Sequence, residues 1–256
     1  MTAVVFIGPT LGPADARGRL DADYRPSASQ GDVYRAVLRR PRAIGIVDGY
    51  FESVPAVWHK EILWAMAQGI HVFGSASMGA LRAAELEAFG MDGVGWIFEQ
   101  YRDGAIEDDD EVAVLHGPAE TGYVALSEAM VNIRRTLAAA ASAGVLDADA
   151  AAALTRIAKA LFYKERSYAA LLDRAGRAGL PAAAIDRFAA WLPRGRVDQK
   201  RLDALAMLQL MRDRLAAGLP RKRVRYHFEP SRAWDAARRA IDREGAPSLD
   251  RGAVAP

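Results

Sequence analysis

No cysteine occurs anywhere in the 256 residues. That absence excludes disulfides, thiolate metal sites and a cysteine nucleophile, and it agrees with a chain expected in the cytoplasm. Any sulfur chemistry here would use sulfur brought from elsewhere. Long apolar runs are missing too. The run in MTAVVFIGPT is far shorter than the roughly 20 residues that span a bilayer, and no basic segment precedes it. It reads as a first strand, with no membrane association expected. Charge of one sign is also scarce: the formal net charge is +2, so no global field argues for a nucleic-acid partner. What is present is ordinary globular material, 51% hydrophobic and 26% charged, enough to fold around a sizeable core.

Residues 3–7 and 43–47 are continuous, β-branched-rich apolar runs ended by Gly8-Pro9 and Asp48-Gly49, the pattern of strands buried on both faces. A third run, residues 70–73, stops at Gly74. Between the last two, residues 56–68 carry Val57, Ile62, Leu63 and Met66 at helical spacing, with Ser53 as N-cap and Gly69 as the stop. Strand, helix and strand in that order predict a βαβ unit. Residues 32–40 read as a helix closed by Pro41. The polar stretch 11–30 is long for a connection, so it is either a functional loop or hides a short strand near Tyr24. Helices follow over 80–89 and 94–102, then an acidic run, 107–111, then a strand over 112–115. From Ser127 the period is helical throughout, with breaks at Gly144, at 176–181, at 193–195 and at 218–220. The expected fold class is α/β: a parallel-sheet domain over residues 1–126, a helical domain over 127–244, and a disordered tail over 245–256.

Ligands of open parallel sheets sit at the carboxyl ends of the strands. Ser75-Ala76-Ser77-Met78-Gly79 stands at such an end and resembles a nucleophile elbow, with Ser75 in place of the first glycine. The geometry would expose the Ser77 hydroxyl and aim the Met78 and Gly79 N–H groups at the same point, as an oxyanion hole or anion cradle. A plain strand-to-helix turn looks the same, and Ser75 offers a second hydroxyl. A serine nucleophile needs a base. His59 lies near the start of the helix that feeds the third strand, His116 follows the acidic run, His71 begins a strand at the opposite end and is the poorer candidate, and His227 lies in the basic C-terminal segment. Asp48 is positioned to orient His59 or else to cap its own turn. Thr10 joins the oxyanion set. Arg82 can hold a substrate carboxylate or pair with Glu85 one turn on. Residues 108–111 lack the spacing of a calcium loop and read as a solvated or partner surface, so no metal is expected. Arg221-Lys222-Arg223 and Arg225, interleaved with Tyr226 and Phe228, form a basic patch that suits a protein partner or an ordinary surface better than nucleic acid. A nucleotide-binding reading finds no phosphate-loop motif at the turn.

GPTL at 8–11, QGDVYRAV at 30–37, AIGIVDGYFESVPAVWHKEIL at 43–63, GSASMGALRAAEL at 74–86 and GMDGVGWIFEQYRDGAIEDDDEVAVLH at 90–116 together resemble the TfuA-like proteins. The resemblance implies a partner of a YcaO protein in ATP-dependent thioamidation of peptide backbones. It implies release of sulfide from a thiocarboxylated ThiS-like carrier by hydrolysis, with the precursor peptide met through YcaO and no cofactor of the chain's own. It supports the importance of Ser77, His59 and the turn at 8–11; the expected site has Ser77, or else Ser75, as nucleophile and His59 or His116 as base, with Asp48, Thr10, Met78, Gly79 and Arg82 around them. The reading set against it is a non-catalytic adaptor that binds YcaO and its peptide.

Overall fold

A computed structural model describes residues 2–52, 54–118 and 123–244. Ser53 and the expected tail over 245–256 lie outside the described residues. Five short strands, β1 (Ala3–Phe6), β2 (Asp23–Arg25), β3 (Ala43–Ile46), β4 (His71–Ser75) and β5 (Asp92–Val94), make one parallel sheet in the order β2-β1-β3-β4-β5. β1 and β3 are buried along their whole length, as their unbroken apolar runs require.

The first half contributes α1 (Pro13–Arg17), α2 (Asp32–Val37), α3 (His59–Ala67), α4 (Met78–Leu86) and α5 (Trp96–Arg102). The second half contributes α6 (Met130–Ser142), α7 (Ala148–Ala160), α8 (Tyr168–Arg177), α9 (Ala182–Gly195), α10 (Gln199–Ala216) and α11 (Arg232–Glu244). α2 to α5 cover one sheet face, with Ile62, Met66, Ala83 and Ile97 against Phe6, Ile44 and Val72. α6 to α9 enclose a core of their own around Leu137, Leu154, Leu171 and Phe188.

α10 crosses from that bundle to the sheet. Its Ala204, Met207, Leu208 and Met211 join Val5, Val47 and Phe73 on the second face. Gly45 on β3 makes room for it, since a Cβ there would stand 2.9 Å from Met211 Sδ. Each methionine or leucine so buried contributes about 1.5–3 kcal/mol. The sheet's second face therefore rests on a helix from the far part of the chain.

Some elements differ from the sequence reading. The stretch 11–30 does hold a strand at Tyr24, preceded by α1. Residues 112–115 form no strand; they follow a short 3-10 turn, Asp109–Glu111, and only His116 bridges to Ala125. β5 was not expected, because three residues with a central glycine carry too little pattern; Gly95, at φ +98°, separates it from α5. α3 begins at His59, with Trp58 at the cap position. α9 runs through Pro193 to Gly195.

The end of the acidic run, Asp110 and Glu111, is taken up by cations of the helical half, while Glu107, Asp108 and Asp109 stay exposed. Asp110 pairs with Lys159 and Arg166, and Glu111 takes a bidentate contact from Arg134 at 2.7 and 2.8 Å. The Arg166 side chain is fully buried, so Asp110 and Glu111 tie the two halves together, while the exposed Asp108 and Asp109 keep the solvated surface expected of the run.

Candidate functional site

The order β2-β1-β3-β4-β5 reverses direction between β1 and β3, the place where open parallel sheets bind ligands. At that point the turns after β1, β3 and β4 open onto a cleft of about 380 Å³. Asp48, Ser77, His116 and Lys200 all line it. The first two come from strand ends, the third from the loop after the acidic run, and Lys200 from the first turn of α10.

Ser77 is the residue before the first turn of α4, 3% exposed, and its side chain makes no capping bond. Its hydroxyl is therefore not spent on the helix start. The turn is tight because α4 begins against β3: Gly79 N–H donates to the Val47 carbonyl at 3.2 Å, and a Cβ on Gly79 would lie 1.7 Å from the Ile46 carbonyl oxygen. Ala76 adopts φ +65°, a left-handed conformation that costs a residue with a Cβ about 1–2 kcal/mol. In this elbow the strain sits one residue before the serine. Ser75, the last residue of β4, is wholly buried, and its Oγ has no partner among the described residues. It does not line the cleft, whereas Ser77 does.

Three members of the expected constellation have other work. Asp48 does not meet His59. Its Oδ2 accepts the Gly8 and Thr10 N–H groups at 2.8 and 3.1 Å, and its Oδ1 accepts the Thr10 hydroxyl at 2.6 Å. It thus locks the Gly8-Pro9-Thr10 turn over the sheet edge. His59 Nε2 lies 2.7 Å from Glu85, which also accepts from Arg82 at 2.7 Å; Arg82 further donates to the Val57 carbonyl. Glu85 is eight residues beyond Ser77, about 12 Å along the helix. The structure brings Asp48, Thr10 and Ser77 to one edge and places His59 and Arg82 together elsewhere. The oxyanion set shrinks correspondingly. The Gly79 N–H and both Thr10 donors are taken, while the Met78 N–H, at the first helical position, lies outside the helix ladder at the positive end of the dipole. The Met78 side chain is buried in the core.

Lys200 is the residue the sequence reading missed. It is 4% exposed, its Nζ donates to the Val112 carbonyl at 2.7 Å, and its backbone N–H donates to Asn132 Oδ1 at 3.1 Å. Asn132 in turn donates to Glu128 at 2.8 Å, and Glu128 pairs with Arg196. Burial pushes the Lys200 ammonium down from its ordinary value, opposed by Asp48, Asp198 and Glu128. A signal existed: Lys200 falls on the same α10 stripe as Ala204, Met207 and Met211, where an apolar residue belongs. His116 is the second basic group at the cleft, half-buried, with Nδ1 2.8 Å from the Gly117 carbonyl. That bond assigns the proton to Nδ1 and leaves Nε2 as the acceptor.

A buried amine and an uncommitted hydroxyl at a helix start can together carry out acyl transfer, with the hydroxyl as nucleophile and the amine as its base. Among the described residues no helix is long and apolar enough to cross a membrane. Residues 48–167 match the family model described as TfuA-like protein. The matched stretch contains Asp48, Ser77 and His116 and stops short of α10. The chain matches no curated protein.

Proposed function

We propose, from the premise that residues 48–167 belong to the TfuA-like family and so carry its association with YcaO-dependent thioamidation, that this chain is a serine-type hydrolase. Its substrate on this reading is a thiocarboxylated, ThiS-like carrier protein, from which it releases sulfide for the YcaO partner. The observation that carries the reading is that Ser77 and Lys200 line one cleft, with the serine hydroxyl free of the helix cap.

Lys200, in the deprotonated form that its burial favours, takes the Ser77 proton as Oγ attacks the thiocarboxylate carbon. The oxyanion forms facing the Met78 N–H and the start of α4. Collapse breaks the carbon–sulfur bond; the sulfur leaves with the proton from Lys200, and the carrier remains as an ester on Ser77. Water, deprotonated by the same amine, cleaves the ester, restoring the hydroxyl and releasing a carboxylate. The sum is one thioacid and one water giving one carboxylic acid and one hydrogen sulfide. Lys200 replaces His59 as base because it is buried in the cleft, whereas His59 is committed to Glu85. His116 Nε2, at the same cleft, is placed to relay protons to solvent.

Sulfide release from the thiocarboxylated carrier, without YcaO, tests this. Ser77→Ala, folded by circular dichroism, is expected to lose at least about a hundredfold in rate. Release undiminished in Ser77→Ala removes the serine mechanism. No release from the wild type leaves the adaptor that binds YcaO and its peptide.

A further inference from the structure

At the opposite end of the molecule, around the amino ends of the strands, a larger cleft of about 850 Å³ is lined by Arg40, Arg42 and Arg221. Arg42 donates to the Leu219 carbonyl and Arg221 to the Gln68 carbonyl at 2.8 Å. Among the described residues no carboxylate pairs with any of the three. Arg40 is held at φ +52° in the turn into β3, beside the 55% exposed Leu38.

Arg221 also begins an irregular ribbon, outside any strand or helix and bent at Arg225 and Tyr226. From 221 to 228 exposure alternates strictly: Arg221, Arg223, Arg225 and His227 are exposed, and Lys222, Val224, Tyr226 and Phe228 are half-buried. The inward set is anchored at every position. Lys222 N–H donates to the Gly69 carbonyl at 2.9 Å and its Nζ to Asp92 at 3.2 Å. Val224 packs on the core, Tyr226 donates to the Leu63 carbonyl at 2.6 Å, and Phe228 lies edge-on to Trp234. The outward set is not neutralised: Arg223 and Arg225 have no ion-pair partner among the described residues, and His227 has only its exposed neighbour Glu229 at 3.7 Å.

We propose that this ribbon, continued into the arginine-lined cleft, is a docking site for an extended acidic segment of a partner protein. An extended peptide rises about 3.3 Å per residue and so carries alternate side chains about 7 Å apart, which lets successive carboxylates on one of its faces meet the outward Arg221, Arg223 and Arg225 in turn. Charge complementarity selects the occupant. Single-stranded nucleic acid has charges at similar intervals, but it needs aromatic faces on which bases stack, and here Tyr226 and Phe228 are turned inward. A solvated surface loop would have no need of a half-buried anchor at every second residue. The site is remote from the cleft at Ser77 and stands whether or not that cleft hydrolyses anything.

Fluorescence anisotropy of a labelled peptide alternating glutamate with alanine tests it on the full chain. The controls are a peptide of the same composition with its glutamates in one block, and an oligothymidylate of equal charge. Wild type is expected to bind the alternating peptide most tightly, with affinity falling as salt rises. Arg223→Glu with Arg225→Glu, both exposed and remote from Ser77, should weaken it at least about tenfold while circular dichroism stays unchanged. No binding, equal binding by the variant, equal binding of the blocked peptide, or tighter binding of the oligothymidylate would each overturn the proposal.

Discussion

Replacing Lys200 with methionine separates a catalytic lysine from a structural one, because the catalytic role alone predicts a loss of rate while burial sets the change in stability. The side chain is 4% exposed and its ammonium is disfavoured by burial. A general base contributes about 10²–10⁴ in rate, so Lys200→Met is expected to cost about 3–5 kcal/mol of transition-state stabilisation. On the fold, the loss of the Val112 bond leaves a carbonyl unpaired, about 1–3 kcal/mol, while the methionine fills the same space without a desolvated amine. The decisive quantity is how the difference between the proteins moves with pH. The folded pKa is lowered below the ordinary 10.5. Below the folded pKa both states are protonated and the wild type bears the full penalty; above 10.5 both are neutral and the penalty is gone. Between them the unfolded chain binds more protons, so wild-type stability rises with pH by up to about 1.4 kcal/mol per unit, and Lys200→Met lacks that slope. Urea unfolding of both proteins at neutral and alkaline pH measures it. Hydrolysis by the wild type should climb as pH rises through the folded pKa, at the lower edge of that window, where the folded amine loses its proton. A stability difference that does not change with pH, together with full activity in the variant, would refute both the neutral amine and its role as base.

Two other substitutions probe the turn and its surroundings. His59→Ala should lose no more than about 1 kcal/mol, the worth of an exposed ion pair with Glu85, and keep the wild-type rate of sulfide release; a large drop in rate would return the histidine to the site. Gly79→Ala forces a methyl to 1.7 Å from the Ile46 carbonyl oxygen, with backbone on both sides. It is expected to destabilise by about 3 kcal/mol or more, seen as a lower urea midpoint; an unchanged midpoint would show that α4 can slide from β3.

Local chemistry determined much of this protein before any tertiary contact was known. The strands β1, β3 and β4 are legible because residues buried on both faces must be apolar without interruption, and the turn holding Ser77 is legible because only small residues let a helix start against a strand. The absence of cysteine and of a long apolar run were likewise facts of the chain alone. β5 was not legible, being three residues paired at a sheet edge and defined by its neighbour rather than by its own pattern. The partners of the site residues were not legible either. His59 and Ser77 lie within twenty residues of each other and flank the same strand, yet packing sends the histidine to Glu85 and leaves the serine to the cleft. Asp48 reads as an orienter of histidine, but two backbone N–H groups and the Thr10 hydroxyl reach it first. Lys200 and Ser77 are far apart in sequence, and only the crossing of α10 over the sheet joins them. Hydrophobic periodicity reports which face of a segment is buried. It does not report against what, and a cleft lined by residues from two halves of a chain is decided entirely by that second fact.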